Sequence, residues 1–327
     1  MVFDVPATEG GALTILKEFY EKYRTDERNQ YCFVVSRIDL VETNNIKVCK
    51  YPWVKKSWAH RIYFDYFIAP KIVEKFQPDY VLSLQNIIIP RVDIEQHLYL
   101  HNAIPFSEIK FSILKDFRLW VYQNVIGLFM KNSARRANKI YVQVKWFKDL
   151  LVDKLKLDPE KVKVVPPDIN ITSSKKFRKT HKSMRTFFYP ASGERFKNHS
   201  VVIEACLQLK KEGFDDYEVI FTLSSNENNH ISRLYKIVQK YSLPIKFVGR
   251  LSREAVFDYY SKSVLLFPSL IETIGLPLRE AEKFRTPMVI LKSEYSSELE
   301  NICSNILSFN ESNSAALVEV LKKIWSY

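Results

Sequence analysis

Val264-Leu-Leu-Phe-Pro-Ser-Leu-Ile-Glu-Thr-Ile-Gly-Leu-Pro-Leu-Arg-Glu280 is the stretch on which the rest of the chain is organised. Its first four residues form an apolar run that reads as a buried parallel strand, ended by Pro268 and Ser269. A polar loop and a lone glycine follow, and Pro277 stands at the start of a new helix, where its missing N–H would have been unpaired anyway. Gly275 has no Cβ, so a ligand can approach the backbone where the free N–H groups of Ile274, Gly275 and Leu276 point outward. A helix N-terminus adds the positive end of its dipole, which suits a phosphate. Glu272 in the loop and Glu280 about one turn into the helix bracket this point. Carboxylates do not bind phosphate; they accept hydrogen bonds from hydroxyls. Phosphate donors in the middle with hydroxyl acceptors on both sides fit a sugar nucleotide.

The remaining composition narrows the class. The 327 residues allow about two domains, and 46% hydrophobic content is ample for two cores. Seven glycines are few, and no G-x-G-x-x-G occurs, so the common dinucleotide fingerprint is absent. Cys32, Cys49, Cys206 and Cys303 lack metal-ligand spacing and read as reduced, packed thiols of a cytosolic protein. The longest apolar stretch, Leu119 to Met130, is interrupted by Gln123 and Asn124 and is too short to span a bilayer. The net charge of +12 is concentrated: residues 105–163 carry thirteen Lys/Arg against six Asp/Glu, and residues 173–199 eight against one. Such patches attract phosphate on a nucleotide, an anionic lipid or a nucleic acid, although any single lysine also fits a solvated surface.

From the N-terminus, Val2-Phe-Asp-Val5 reads as a strand, Gly10-Gly11 as a turn and Leu13 to Tyr23 as an amphipathic helix. Strand, glycine turn and helix make a phosphate-approach module, though by themselves the two glycines fit a plain turn better. Tyr31 to Val35 is the next strand, and Trp53 to Phe76 an aromatic helix read as core and cleft-edge packing. Asp79 to Leu84 and Gln96 to His101 are further strands, with Gln85-Asn86 and His101-Asn102 at their C-terminal ends, where open α/β sheets bind ligands. Phe111 to Lys131 reads as a long aromatic-basic helix followed by Arg135-Arg136. The strand Ile140 to Val144, the helix 146–156 and the strand Lys161 to Val165 close the first sheet.

Pro166-Pro167-Asp168 opens a polar, basic stretch without apolar period, so a domain boundary falls there. The strand Thr186 to Tyr189 then leads into a cationic loop, Pro190-Ala-Ser-Gly-Glu-Arg-Phe-Lys-Asn-His199, and helix 200–212. Glu218 to Leu223, helix 229–241, Ile245 to Val248 and helix 252–262 continue the β/α alternation up to the organising stretch. Gly249-Arg250 follows one of these strands, and Ala315 to Trp325 is a last amphipathic helix. No Asp-x-Asp pair lies near the proposed site, and no metal or other cofactor is expected.

Glu272, seven residues, then Glu280, with Gly275-Leu-Pro277 between them and Ala281 and Thr286-Pro-Met-Val-Ile290 after, resembles the paired-glutamate signature of family-4 retaining glycosyltransferases. Thr273 and Ile274 replace the usual Gly-Phe, and Arg285 stands where that family usually has glycine. The resemblance implies an α/β GT-B fold, two Rossmann-like domains with parallel sheets facing a central cleft. It places an acceptor-side domain at 1–168, a linker at 169–185 and a nucleotide-sugar-binding domain at 186–327. Lys197 matches the lysine that neutralises the donor diphosphate. Ser192 stands where a partner arginine usually lies, with Arg195 as the substitute. Gly249 matches the base-contacting turn, and Gly10 and Gly11 the glycine loop under the diphosphate.

The combination Ser83-Leu-Gln85-Asn86, then His101-Asn102 and Pro105-Phe106, is similar to the bacterial capsule and O-antigen subgroup. It implies His101 as an acceptor- or phosphate-side residue and Asn102, Gln85 and Asn86 on the acceptor side. The expected activity is metal-independent retaining transfer from a nucleotide-sugar to a lipid-linked saccharide, with Glu280 on ribose hydroxyls and Glu272 and Lys197 at the reacting end. The expected location is the cytoplasmic face of a membrane, docked through residues 111–136. A non-catalytic GT-B partner subunit and a basic nucleic-acid-binding protein are the alternatives; no nucleic-acid motif supports the latter.

Overall fold

Most of the short apolar strands among the described residues are separated by helices, and each strand pairs in parallel with its neighbours. The computed structural model describes residues 1–8, 10–167, 171, 175–310 and 312–325. The chain divides into two compact units, Met1–Asp168 and Ile169–Tyr327.

In the first unit the strands are β1 (Val2–Asp4), β2 (Tyr31–Val35), β3 (Ile46–Lys50), β4 (Tyr80–Ser83), β5 (Glu95–Leu100), β6 (Lys139–Val142) and β7 (Val162–Val164). They form one sheet in the order β3-β2-β1-β4-β5-β6-β7. Alternate residues face opposite sides. Phe3, Val34 and Val81 lie in the core on one face and Val2, Phe33, Val35 and Leu82 in the core on the other. Covering both faces is what a parallel sheet requires.

Three expectations change in this unit. The edge strand β3 joins β2 through Tyr31↔Ile46 to Val35↔Lys50; its Ile-Lys-Val-Cys-Lys alternation is a half-buried edge pattern too short to stand out in the sequence. The helix expected from Phe111 begins at Phe117 and runs as Phe117–Val121, a π turn Tyr122–Ile126 and Gly127–Arg136. Buried Gln123 explains the late start. Its amide donates to the carbonyls of Ile109 (2.6 Å) and Ile104 (3.3 Å) and accepts from the Phe111 N–H at 3.2 Å. These backbone groups are thereby held in a loop, and Phe111 is buried outside the helix. The segment read as one helix in core and cleft-edge packing, Trp53 to Phe76, is a short 3-10 turn followed by Trp58–Tyr63, Phe64–Ile68 and Ala69–Phe76. Phe64, Ile72 and Val73 are buried there, but Trp58, Ile62, Tyr63 and Phe67 are exposed.

The second unit holds β8 (Thr186–Tyr189), β9 (Glu218–Phe221), β10 (Ile245–Phe247), β11 (Val264–Phe267), β12 (Met288–Leu291) and β13 (Ile306–Phe309), in the order β10-β9-β8-β11-β12-β13. Every residue of β8, β11 and β12 is buried, as expected of central strands covered on both faces. In the stretch expected as a linker, residues 168–170 and 172–174 lie outside the described residues. The rest is tied to the second unit: the Phe177 N–H donates to the Phe284 carbonyl at 2.7 Å and the Arg178 N–H to the Ser261 carbonyl at 2.9 Å. A capping box on Thr180 then starts the turn His181–Arg185, which runs straight into β8.

Candidate functional site

Strand order reverses between β8 and β11, which lie side by side in the register Val264↔Phe187 and Leu265↔Phe188. The crevice beyond the C-terminal ends of such a pair is where open α/β sheets take ligands. The loops after these two strands carry Lys197 and Glu272, and Glu280 lies on the helix after the second loop.

The loop after β8 is anchored along its length. Gly193 donates its N–H to Glu227 Oε1 at 2.9 Å and accepts from Asn228 Nδ2 at 3.0 Å. A Cβ there would stand 2.6 Å from Ile231, so a larger residue does not fit. The turn Arg195–Lys197 follows, and Asn198 ends it in the left-handed region at φ 60, which asparagine tolerates better than most residues. The Asn198 amide donates to the Pro268 carbonyl at 3.2 Å and to Ser312 Oγ at 2.8 Å. The Leu270 N–H donates to the Phe196 carbonyl at 2.8 Å, and buried Tyr295 donates its hydroxyl to the Ser269 carbonyl at 2.5 Å. The two loops are therefore one bonded assembly.

This assembly brings Lys197 and Glu272 together, with Nζ 2.5 Å from Oε1 and the side chains only 17% and 13% exposed. Gly275, at φ 63, starts the helix Leu276–Phe284, and no side chain caps that end. Glycine takes that backbone conformation without the strain a Cβ would add. An added Cβ would also press on Leu278 at 3.0 Å. The side chain of Ile274 is buried, so only its backbone can serve a ligand. Glu280 accepts from the Tyr260 hydroxyl at 3.1 Å and lies 3.4 Å from Arg253 Nη2. Burial raises its pKa, and Arg253 and Tyr260 oppose the shift. Arg253 and Tyr260 carried no signal in the sequence, because both meet Glu280 from a helix more than fifteen residues away. Arg195 lies half-buried in the same turn as Lys197, and Gly249 takes φ 72 just after β10.

In the first unit, Gly10 (φ 63) and Gly11 open the helix Gly10–Arg24 beyond β1. Gln85 and Asn86 follow β4, and His101 and Asn102 follow β5. Asn86, itself at φ 63, accepts the His101 backbone N–H at 2.9 Å and places its amide 3.3 Å from His101 Nε2. Burial lowers the imidazole pKa to about 4. His101 is therefore neutral at pH 7 and offers hydrogen bonds rather than a cation. Asn102 donates to Tyr122 Oη at 3.1 Å and accepts from the Ile104 N–H. Gln85 is buried near Asp65, and Asp65 Oδ2 accepts from Arg61 Nε at 2.6 Å. The sequence reading missed Asp4, the last residue of β1. It is 1% exposed, and desolvation raises its pKa to about 7.

Among the described residues, no three His, Cys, Asp or Glu side chains are grouped to hold a metal ion, and no helix is long and apolar enough to cross a membrane.

Residues 171–326 match the family model described as Glycosyl transferases group 1. Lys197, Glu272, Gly275 and Glu280 all lie within that stretch. No curated protein sequence matches the chain significantly. Among solved structures, sucrose-phosphate synthase from Thermosynechococcus elongatus superimposes with a TM-score of 0.73 at 14% identity, covering 99% of this chain and 89% of that one. Anabaena Alr3699/HepE, solved in complex with UDP and glucose, gives 0.68 at 14% identity over 98% and 88%. WaaG, a glycosyltransferase involved in lipopolysaccharide biosynthesis, gives 0.66 at 11% identity over 100% and 90%. At such identities the likeness is one of fold, and that fold is GT-B: two parallel-sheet α/β domains.

Proposed function

We propose that this chain is a retaining glycosyltransferase that moves a sugar from a nucleotide-sugar to a hydroxyl of a lipid-linked saccharide in bacterial surface-polysaccharide synthesis. The observation that carries this reading is the convergence of Lys197, Glu272 and the uncapped helix start at Gly275 beyond β8 and β11, inside the stretch that matches the group 1 family model. Lys197 and the N–H groups at Ile274, Gly275 and Leu276 take the diphosphate. Glu272 accepts sugar hydroxyls and Glu280 ribose hydroxyls, with Gly249 and Arg195 completing the donor side. HepE was solved with UDP and glucose, in keeping with a nucleotide-sugar donor, and WaaG is involved in lipopolysaccharide biosynthesis, in keeping with a surface saccharide.

In the reaction the bond from the anomeric carbon to the phosphate oxygen breaks, and its electron pair stays on the diphosphate. The acceptor oxygen bonds to the same face of that carbon, and its proton ends on the leaving phosphate. Negative charge therefore grows beside Lys197 and the helix start, and fixed donors aimed at such charge are usually the largest catalytic term. Gln85, Asn86, His101 and Asn102, at the strand ends of the first unit, are the hydrogen-bonding groups for the acceptor.

The test is titration with a panel of nucleotide-sugars. Glu280→Ala leaves ribose hydroxyls without their acceptor and is expected to cost about 1–3 kcal/mol of donor affinity. Lys197→Ala should weaken diphosphate binding as well. Wild-type binding and turnover in both variants would place the donor elsewhere. Turnover should also survive EDTA, because Lys197 and the helix start carry the phosphate charge; loss restored by Mg²⁺ would refute that part.

A further inference from the structure

The carboxylate assigned to the donor sugar and the ammonium assigned to the adjoining diphosphate are bonded to each other. Lys197 Nζ lies 2.5 Å from Glu272 Oε1, and both side chains are largely withdrawn from water. The surroundings are aromatic: Lys197 lies 5.2 Å from the Phe196 ring, and the negative charge of Glu272 bears on buried Tyr189 and Tyr295. Among the described residues Lys197 is the ion-pair partner of Glu272. In so dry a setting, removing one partner leaves the other charge uncompensated, which is far costlier than breaking an exposed pair.

We propose that the Lys197–Glu272 ion pair makes the site discriminate between an intact nucleotide-sugar and the nucleoside diphosphate left after transfer. The inference rests on the donor site described above. A nucleotide-sugar separates the pair and compensates both halves: its diphosphate meets Lys197 and its sugar hydroxyls donate to Glu272. A nucleoside diphosphate compensates only Lys197. It leaves Glu272 bare, close to a second anion, so re-formation of the ion pair competes directly with the bound product. The same contact thus sharpens donor selection and drives product release after the sugar has left. By linkage, the penalty that Glu272 imposes on the diphosphate equals the penalty that the diphosphate imposes on the pair.

The experiment is calorimetric titration of the full chain with UDP, GDP and ADP and their glucose conjugates, using whichever base binds. Glu272→Gln keeps the shape and removes the charge. It should tighten nucleoside diphosphate binding about tenfold, within the usual range of coupling between sites, while nucleotide-sugar affinity gains less or falls. In a Lys197→Ala background the gain from Glu272→Gln should shrink to about threefold or less. An unchanged or weaker diphosphate affinity in Glu272→Gln overturns the proposal. If instead Lys197→Ala binds diphosphate like the wild type, the donor-site assignment itself fails. A readout that needs no variant is product inhibition: the wild-type inhibition constant for the diphosphate should exceed the donor KM about tenfold, and a constant below KM overturns the proposal.

Discussion

The buried phenol of Tyr189 donates a 2.7 Å hydrogen bond to the main-chain carbonyl of Lys197. Tyr189 is the last residue of β8, and its ring packs against His199, Phe221 and Phe267. The turn that presents Lys197 is thus held from beneath by the central strand of its own sheet. Tyr189→Phe retains the ring and removes this bond. It should cost about 1 kcal/mol of stability, roughly 2–4 °C in melting temperature for a unit of this size. Nucleoside diphosphate affinity should fall several-fold through the loosened turn. Thermal melts with and without nucleotide measure both effects; an unchanged affinity would show that the turn is held by its other bonds.

Arg285 stands at the end of the helix Leu276–Phe284 in the left-handed region, φ 59 and ψ 30, with an exposed side chain. Its N–H bonds to the Glu282 carbonyl, and the next N–H, from Thr286, reaches back to Ala281. Helix termini of this form favour glycine. Arg285→Gly should stabilise the protein by about 0.5–1 kcal/mol, while Arg285→Ala, equally strained, should not. A denaturant midpoint that fails to rise for glycine alone would refute the strain argument.

Asp4 gives a pH dependence of definite sign. Burial raises its pKa from 3.8 to about 7, against weaker opposing effects of the Ala7 N–H, Arg61 and Lys55. Between about pH 4 and pH 7 the folded protein holds a proton that the unfolded chain has lost, so this group's contribution declines as pH rises through that window. It is most favourable at lower pH and flat above about pH 7. Asp4→Asn removes the slope. Relative to the wild type it should gain on the order of 2–4 kcal/mol between pH 4 and pH 8. Chemical denaturation across that range gives the difference, and parallel curves would mean that Asp4 is ionised throughout.

The helix from Phe117 to Arg136 and the loop before it present Leu114 at 93% exposure, together with Phe117, Leu128 and Phe129. Lys115, Arg118, Arg135 and Arg136 are exposed beside them. Each basic residue near an anionic surface contributes about 1 kcal/mol. Binding to anionic vesicles at low salt is expected, with little to neutral ones and release by high salt. Changing Arg118, Arg135 and Arg136 together to Glu should abolish vesicle binding and leave nucleotide affinity unchanged. Equal binding by the triple variant would sink the membrane reading.

What the sequence determined by itself was what depends on neighbours in the chain. The apolar runs Thr186–Tyr189 and Val264–Phe267 set strands at their observed limits. Gly275 and Pro277 marked the helix start, because φ preference and a missing N–H act within one or two residues. Arg285 stood out through the family resemblance, which has glycine at that helix end, and not through its chain neighbours. Partnership across long separations had no such signature. The Lys197–Glu272 pair spans 75 residues, and the bond from Tyr260 to Glu280 twenty. The sequence identified Lys197, Glu272 and Glu280, but only the folded structure showed that the first two neutralise each other and that Tyr260 donates to the third. The late helix start at Phe117 was decided by the side chain of Gln123, twelve residues beyond Phe111, taking backbone groups that a helix would have used. Asp4 is a strand residue in the sequence and a proton-holding carboxyl in the structure, because desolvation depends on everything packed around a group and not on its neighbours in the chain.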